Sequence, residues 1–167
     1  YEQIFWITQA SMRQRRPRAR LSLRPKTPFK IRVDSKERYP WRFPGAESER
    51  GPLPVGDYAL VDADEILALI ERKTLDNLLA DLGTMPILHQ ALTELATYKY
   101  NALVIEAPYV DLLNPKKVHH YTASFCARAI AELYAFHPGL RIVFCANRKT
   151  ANQWAVHYLS AVWALLK

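Results

Sequence analysis

An α/β fold, with a central mixed sheet flanked by helices, follows from three features of this 167-residue chain. Beyond Leu75, short apolar runs alternate with longer helical stretches, the order that builds a layered sheet. Leu103-Val104-Ile105 and Ile142-Val143-Phe144 lack polar alternation, as strands buried on both faces do. Half of the residues (50%) are hydrophobic, enough for one core in a chain too short for two comfortable ones.

Taken in order, residues 1–29 read as a basic arm or linker and 30–167 as the folded domain. Arg13 to Lys30 holds eight Lys or Arg and no acid, whereas residues 31–167 hold fifteen of each sign, so the net charge of +7 belongs to this one segment. Arg15, Arg16, Arg18 and Arg20, interrupted by Pro17 and followed by Pro25 and Pro28, cannot pack as a core. Such an arm either grips phosphates by displacing counterions or links to another part. Ile31 to Asp34 reads as a strand. Pro40, Pro44, Gly45, Pro52 and Pro54 then forbid a long helix and predict a loop from Arg38 to Pro54. In it, Tyr39, Trp41, Arg42, Phe43 and Arg50 either present rings and guanidinium groups to nucleic acid or pin the loop onto the core.

Val55 to Asp62 is the next strand, Asp62-Ala63-Asp64-Glu65 a polar turn, and Ile66 to Ile70 a buried strand running into Glu71. Thr74 caps a helix over 75–82. A helix over 86–99, a strand over 102–106, a helix over 118–136, a strand over 141–145 and a helix over 150–166 complete the order. The loop Ala107 to Lys117 separates the halves, and Lys116 and Lys117 are placed to flank a DNA groove. Cys126 and Cys145 lie in apolar elements and read as buried free thiols of an intracellular protein. His119 and His120 point about 100° apart on a helix, which disfavours a shared metal and places them at a helix start. No stretch reaches membrane-spanning length and no cleavable signal peptide is visible.

The chemistry concentrates in Gly56-Asp57 and, after thirteen intervening residues, Glu71-Arg72-Lys73. Side chains alternate along a strand, so Glu71 and Lys73 share a face, Arg72 points away, and a hairpin partner brings Asp57 beside the pair. Charges ending a buried apolar run are costly without a ligand. Two carboxylates and an ammonium suit a metal-dependent phosphodiesterase: Asp57, Glu71 and a backbone carbonyl as hard oxygen ligands for magnesium, and Lys73 offsetting transition-state charge.

The blocks Val33-Asp34-Ser35-Lys36-Glu37, Val55-Gly56-Asp57-Tyr58 and Ile70-Glu71-Arg72-Lys73-Thr74-Leu75-Asp76 resemble, in this order, the nuclease domain of the XPF family of structure-specific endonucleases, closest in pattern to its stand-alone bacterial and phage-type members. The likeness is tight over residues 30–82 and rests beyond that on the order of elements. It implies a restriction-endonuclease-like core that cleaves DNA with magnesium or manganese. Asp34, Glu37, Asp57, Glu71 and Lys73 would occupy the active-site positions, with Asp34 joining Asp57 and Glu71 at the metal and Arg72 matching the motif's middle letter. The family's acid four residues past the lysine is Asn77 here and Asp76 stands one place early, so Asp76 supports either the motif or merely the helix N-terminus.

The final helix is apolar nearly all round, which asks for two partners. The family dimerises through this region, so Trp154, Tyr158 and Trp163 are expected at a homodimer or heterodimer seam, the alternative being a fully interior helix. The reading is a metal-dependent DNA endonuclease directed to branched, flap or single-strand/duplex junction DNA. Its alternatives are a nuclease subunit of a defence or recombination assembly targeted by its partners, and a non-catalytic DNA-binding or dimerisation module.

Overall fold

The structure is a computed structural model that describes residues 23–167. Its strands are β1 (Lys30–Asp34), β2 (Glu47–Gly51), β3 (Tyr58–Asp62), β4 (Glu65–Lys73), β5 (Tyr100–Ile105) and β6 (Ile142–Phe144). Its helices are α1 (Leu75–Leu82), α2 (Met85–Leu95), α3 (Ala123–Phe136) and α4 (Arg148–Leu166), with a 3-10 turn at Tyr109–Leu113. The strands form one mixed sheet in the order β2-β1-β3-β4-β5-β6. β1 and β4 each run antiparallel to β3, so both end where β3 begins, and β5, parallel to β4, ends there too. Topology therefore gathers Asp34, Asp57, Glu71 to Lys73 and Glu106 at one end of the sheet.

The sheet separates two cores. Ala59, Val61 and Leu69 pack against α1, α2 and α3, while Tyr58, Leu60, Ala68 and Ile70 on the opposite face pack against α4. The buried positions of α4, Ala151, Ala155, Leu159 and Val162, recur every three or four residues and form the stripe that meets the sheet. This is the α/β architecture expected, with helices on both faces of a mixed sheet. Among the described residues no helix is long and apolar enough to cross a membrane.

Several local expectations change. The loop from Arg38 to Pro54 contains a strand, β2, paired in parallel with β1. Its sequence, Glu-Ser-Glu-Arg-Gly, has no apolar alternation because it is an edge strand held by charge: Glu49 pairs with Lys30 at 3.3 Å and with Arg32 at 3.0 Å. His119 and His120 precede α3 instead of starting it, since the Thr122 hydroxyl accepts the Phe125 N–H and sets the N-cap there. Cys145 lies one residue past β6, where its N–H donates to the Ile105 carbonyl at 2.9 Å. Both cysteines are buried and unpaired.

Trp41 (3% exposed) and Phe43 are buried, with Trp41 stacked on Tyr58 at 4.8 Å. These two rings pin the loop, leaving Tyr39 (78% exposed) and Arg42 outside. Trp163 also turns inward, 7% exposed, because the chain's own Thr27 and Phe29 cover it. Trp154 and Tyr158, stacked at 4.8 Å, remain half-buried.

Candidate active site

Gly56 makes the first connection. Its φ of +79° suits glycine, and a Cβ there would come within 3.0 Å of the Ile70 carbonyl. The tight turn lets the Asp57 N–H donate to that same carbonyl at 2.8 Å, and the Asp57 carboxylate accepts the Arg72 N–H at 2.7 Å. Asp57 is thereby fixed across the hairpin from Glu71, as the sequence predicts.

Glu71 and Lys73 follow Leu69 on the face toward α1 and α2, and they line a small pocket walled by Leu88, Ala91, Leu92 and Leu95. Burial, then repulsion from Glu71, pushes the Asp57 carboxyl from 3.8 up to about 7. Burial likewise raises Glu71, against the pull of Lys73. Although burial alone would lower Lys73, Glu71 at 3.3 Å and Asp81 at 2.6 Å hold its ammonium above the ordinary lysine value. Asp81, in the last turn of α1, was not foreseen as part of this group. An acid on the polar side of a helix reads as a solvated charge, and only the helix's docking angle carries it to Lys73.

Arg72 points to the opposite face. Its guanidinium donates to Glu106 at 2.6 Å and Glu37 at 3.1 Å, and lies 5.7 Å from the Trp41 ring centre. Tyr58 donates its hydroxyl to Glu37 at 2.7 Å and accepts the Trp41 N–H at 2.8 Å, while the Trp41 indole N–H donates to Glu106 at 3.3 Å. Glu37 thus joins the Arg72 network, while its charge also helps to raise the Asp57 and Glu71 carboxyls. Glu106 was also missed, although the parallel register of Lys73 with Ile105 places it one residue beyond the motif.

Asp34 ends β1 beside the start of β3. Its carboxylate accepts the backbone N–H groups of Leu53 at 3.0 Å and Lys36 at 3.1 Å, and its own N–H donates to the Asp57 carbonyl at 2.8 Å. It ties both ends of the loop to the start of β3. Asp76 is exposed in the first turn of α1, whose cap is made by the Thr74 hydroxyl accepting the Asn77 N–H at 3.1 Å. Lys117 pairs with Asp111 at 2.9 Å and Lys116 is exposed. Arg15, Arg16, Arg18 and Arg20 lie outside the described residues.

Among the described residues no three His, Cys, Asp or Glu side chains form a ready-made metal cage. Two hard carboxylates, half-buried, mutually repelling and flanked by an ammonium, are nevertheless the donor chemistry that a divalent cation of the magnesium type takes.

No curated protein matches the chain. Among solved structures it is similar to XPF from Aeropyrum pernix, with a TM-score of 0.59 at 22% identity, covering 83% of this chain and 61% of that one. It is similar to a second structure of that protein, in complex with DNA, with a TM-score of 0.59 at 23% identity, covering 79% of this chain and 63% of that one. At such identities the likeness speaks for a shared fold, and the chain spans less than two thirds of either structure's length. Residues 33–158, about three quarters of the sequence, match the ERCC4 domain and include every motif residue described above. The chain belongs to the ERCC4 domain family.

Proposed function

We propose that the protein is a magnesium- or manganese-dependent DNA endonuclease directed to branched, flap or single-strand/duplex junction DNA. The observation that carries this reading is the approach of Asp57 and Glu71 beside Lys73. Their carboxyls are destabilised as a charged pair in the isolated chain, and a divalent cation shared by both would relieve that repulsion. When bound, the ion supplies an acidified water and a polarised phosphoryl oxygen.

The remaining roles belong to the chain. Lys73, held as an ammonium between Glu71 and Asp81, stands where it orients the nucleophile or meets a non-bridging phosphate oxygen. Arg72 locks Glu37, Glu106 and Trp41 behind the motif and keeps the loop against the sheet. Asp34 fixes the loop ends that frame the site. The pattern of the motif blocks supports a kinship with stand-alone bacterial and phage-type members. The Arg13 to Lys30 segment adds sequence-independent phosphate affinity, and Trp154 and Tyr158 offer a half-buried surface on α4 for dimerisation.

Cleavage of labelled flap, fork, duplex and single-stranded DNA, with magnesium and with EDTA, tests the reading. Magnesium-dependent incision near the junction is expected. No cleavage of any substrate, or cleavage indifferent to EDTA, would overturn it.

A further inference from the structure

The loop after β1 docks on the first turns of α4 in a way that extends the motif surface. Arg148 and Asn152, four residues apart, share one face of the helix. Arg148 donates to the Tyr39 carbonyl at 2.5 Å, and Asn152 clasps the backbone of Arg42, accepting its N–H at 3.1 Å and donating to its carbonyl at 2.8 Å. The same Tyr39 carbonyl accepts from Arg72 at 3.4 Å, so one peptide unit joins the motif to the helix. Beside this clasp a groove of about 370 Å³ opens between Arg42 and Pro44 on one wall and Lys149, Gln153, Val156 and His157 on the other. No Asp or Glu lines it. Tyr39, with its side chain exposed, lies three residues before the groove-lining Arg42 and is tied by its carbonyl to Arg72 of the motif.

We infer that this groove carries a single DNA strand leaving the catalytic carboxylates, with Tyr39 stacking on an unpaired base and Arg42 and Lys149 gripping the phosphates beyond it. The inference rests on the endonuclease reading above. Three observations favour a single strand as occupant. The cationic rim has no carboxylate within it, which matches phosphate and would repel an acidic peptide surface. An exposed ring next to cations is the arrangement that takes unpaired bases without reading sequence. The loop that walls the groove is also tied to the motif, since the Tyr39 carbonyl accepts from both Arg72 and Arg148, so the groove borders the end of the sheet that carries the motif.

The test is fluorescence anisotropy of a labelled flap carrying a single-stranded arm, titrated in EDTA over a range of salt concentrations. Wild type is compared with the double variant Arg42→Gln/Lys149→Gln, with Tyr39→Ala, and with Lys99→Gln at the opposite end of the sheet. Each lost phosphate contact flattens the slope of log K against log salt by about 0.7, so the double variant loses about 1.4. Tyr39→Ala binds the flap about tenfold more weakly with an unchanged slope, and its affinity for blunt duplex is kept. Lys99→Gln matches wild type throughout. Melting curves establish that the variants are folded. If wild type binds and, with magnesium, cleaves the flap while the double variant keeps the wild-type slope, the strand path is wrong and the endonuclease reading stands. If the tyrosine variant weakens duplex as much as flap, the occupant is not a single strand. Wild type that neither binds nor cleaves the flap removes both.

Discussion

Replacing Asp57 by Asn should make the metal-free protein more stable at pH 8 while destroying its activity. Moving a carboxyl from 3.8 to about 7 corresponds to about 4 kcal/mol, at about 1.36 kcal/mol for each tenfold change in proton affinity. Asp57 is only half-buried and shares its field with Glu71, so screening reduces the recoverable part to about 1–2 kcal/mol. The sign follows from linkage. A carboxyl whose folded pKa is raised binds its proton more tightly in the folded state, so its stabilisation is full below pH 3.8 and is lost as pH rises through about 7. Asn retains the oxygen that accepts the Arg72 N–H and never ionises. In EDTA, Asp57→Asn should therefore melt about 3–8 °C above wild type at pH 8, with a much smaller gain at pH 5. A variant no more stable than wild type at pH 8, or equally stabilised at both pH values, would refute the proposition that Asp57 is held at electrostatic cost for a ligand.

Three further outcomes follow from the same geometry. Asp81→Asn leaves Lys73 with Glu71 alone and should lower kcat about tenfold without changing the Kd for DNA; as a mere surface acid opposing the α1 dipole, Asp81 would instead be replaced with full activity. Trp41→Ala removes a buried ring stacked on Tyr58 and a hydrogen bond to Glu106, and should cost about 3–5 kcal/mol, seen as a fall in Tm of about 10–20 °C. If α4 is a dimer seam, Trp154→Glu should convert a sedimenting dimer into a folded monomer, and a wild-type chain that sediments as a monomer at high concentration would end that proposal.

The central geometry was legible because it depends on short-range rules. Alternation along β4 placed Glu71 with Lys73 and Arg72 on the other face, and Gly56 with a hairpin partner brought Asp57 across. What escaped depends on tertiary docking. Asp81 reaches Lys73 only because α1 folds back over the sheet, and Glu106 joins Arg72 only through the pairing of β4 with β5. Strand β2 was invisible because an edge strand with one neighbour needs no apolar alternation, and the prolines around it flank the paired residues instead of interrupting them. Trp163 was expected at a surface because its cover, Thr27 and Phe29, comes from the far end of the chain. The bonds of Glu37 to Arg72 and Tyr58 were not legible either, because they depend on how the loop after β1 folds back over the sheet end.

Single-turnover cleavage of a labelled flap by wild type and by Glu71→Gln, with Kd measured on the same DNA in EDTA, bears most directly on the carboxylate pair. The variant should lose magnesium-dependent cleavage by a factor on the order of 10³ and bind DNA as tightly as wild type or more tightly, since one negative charge near the phosphates is gone. Cleavage retained within a few-fold of wild type would contradict the assignment of Asp57 and Glu71 as the catalytic pair.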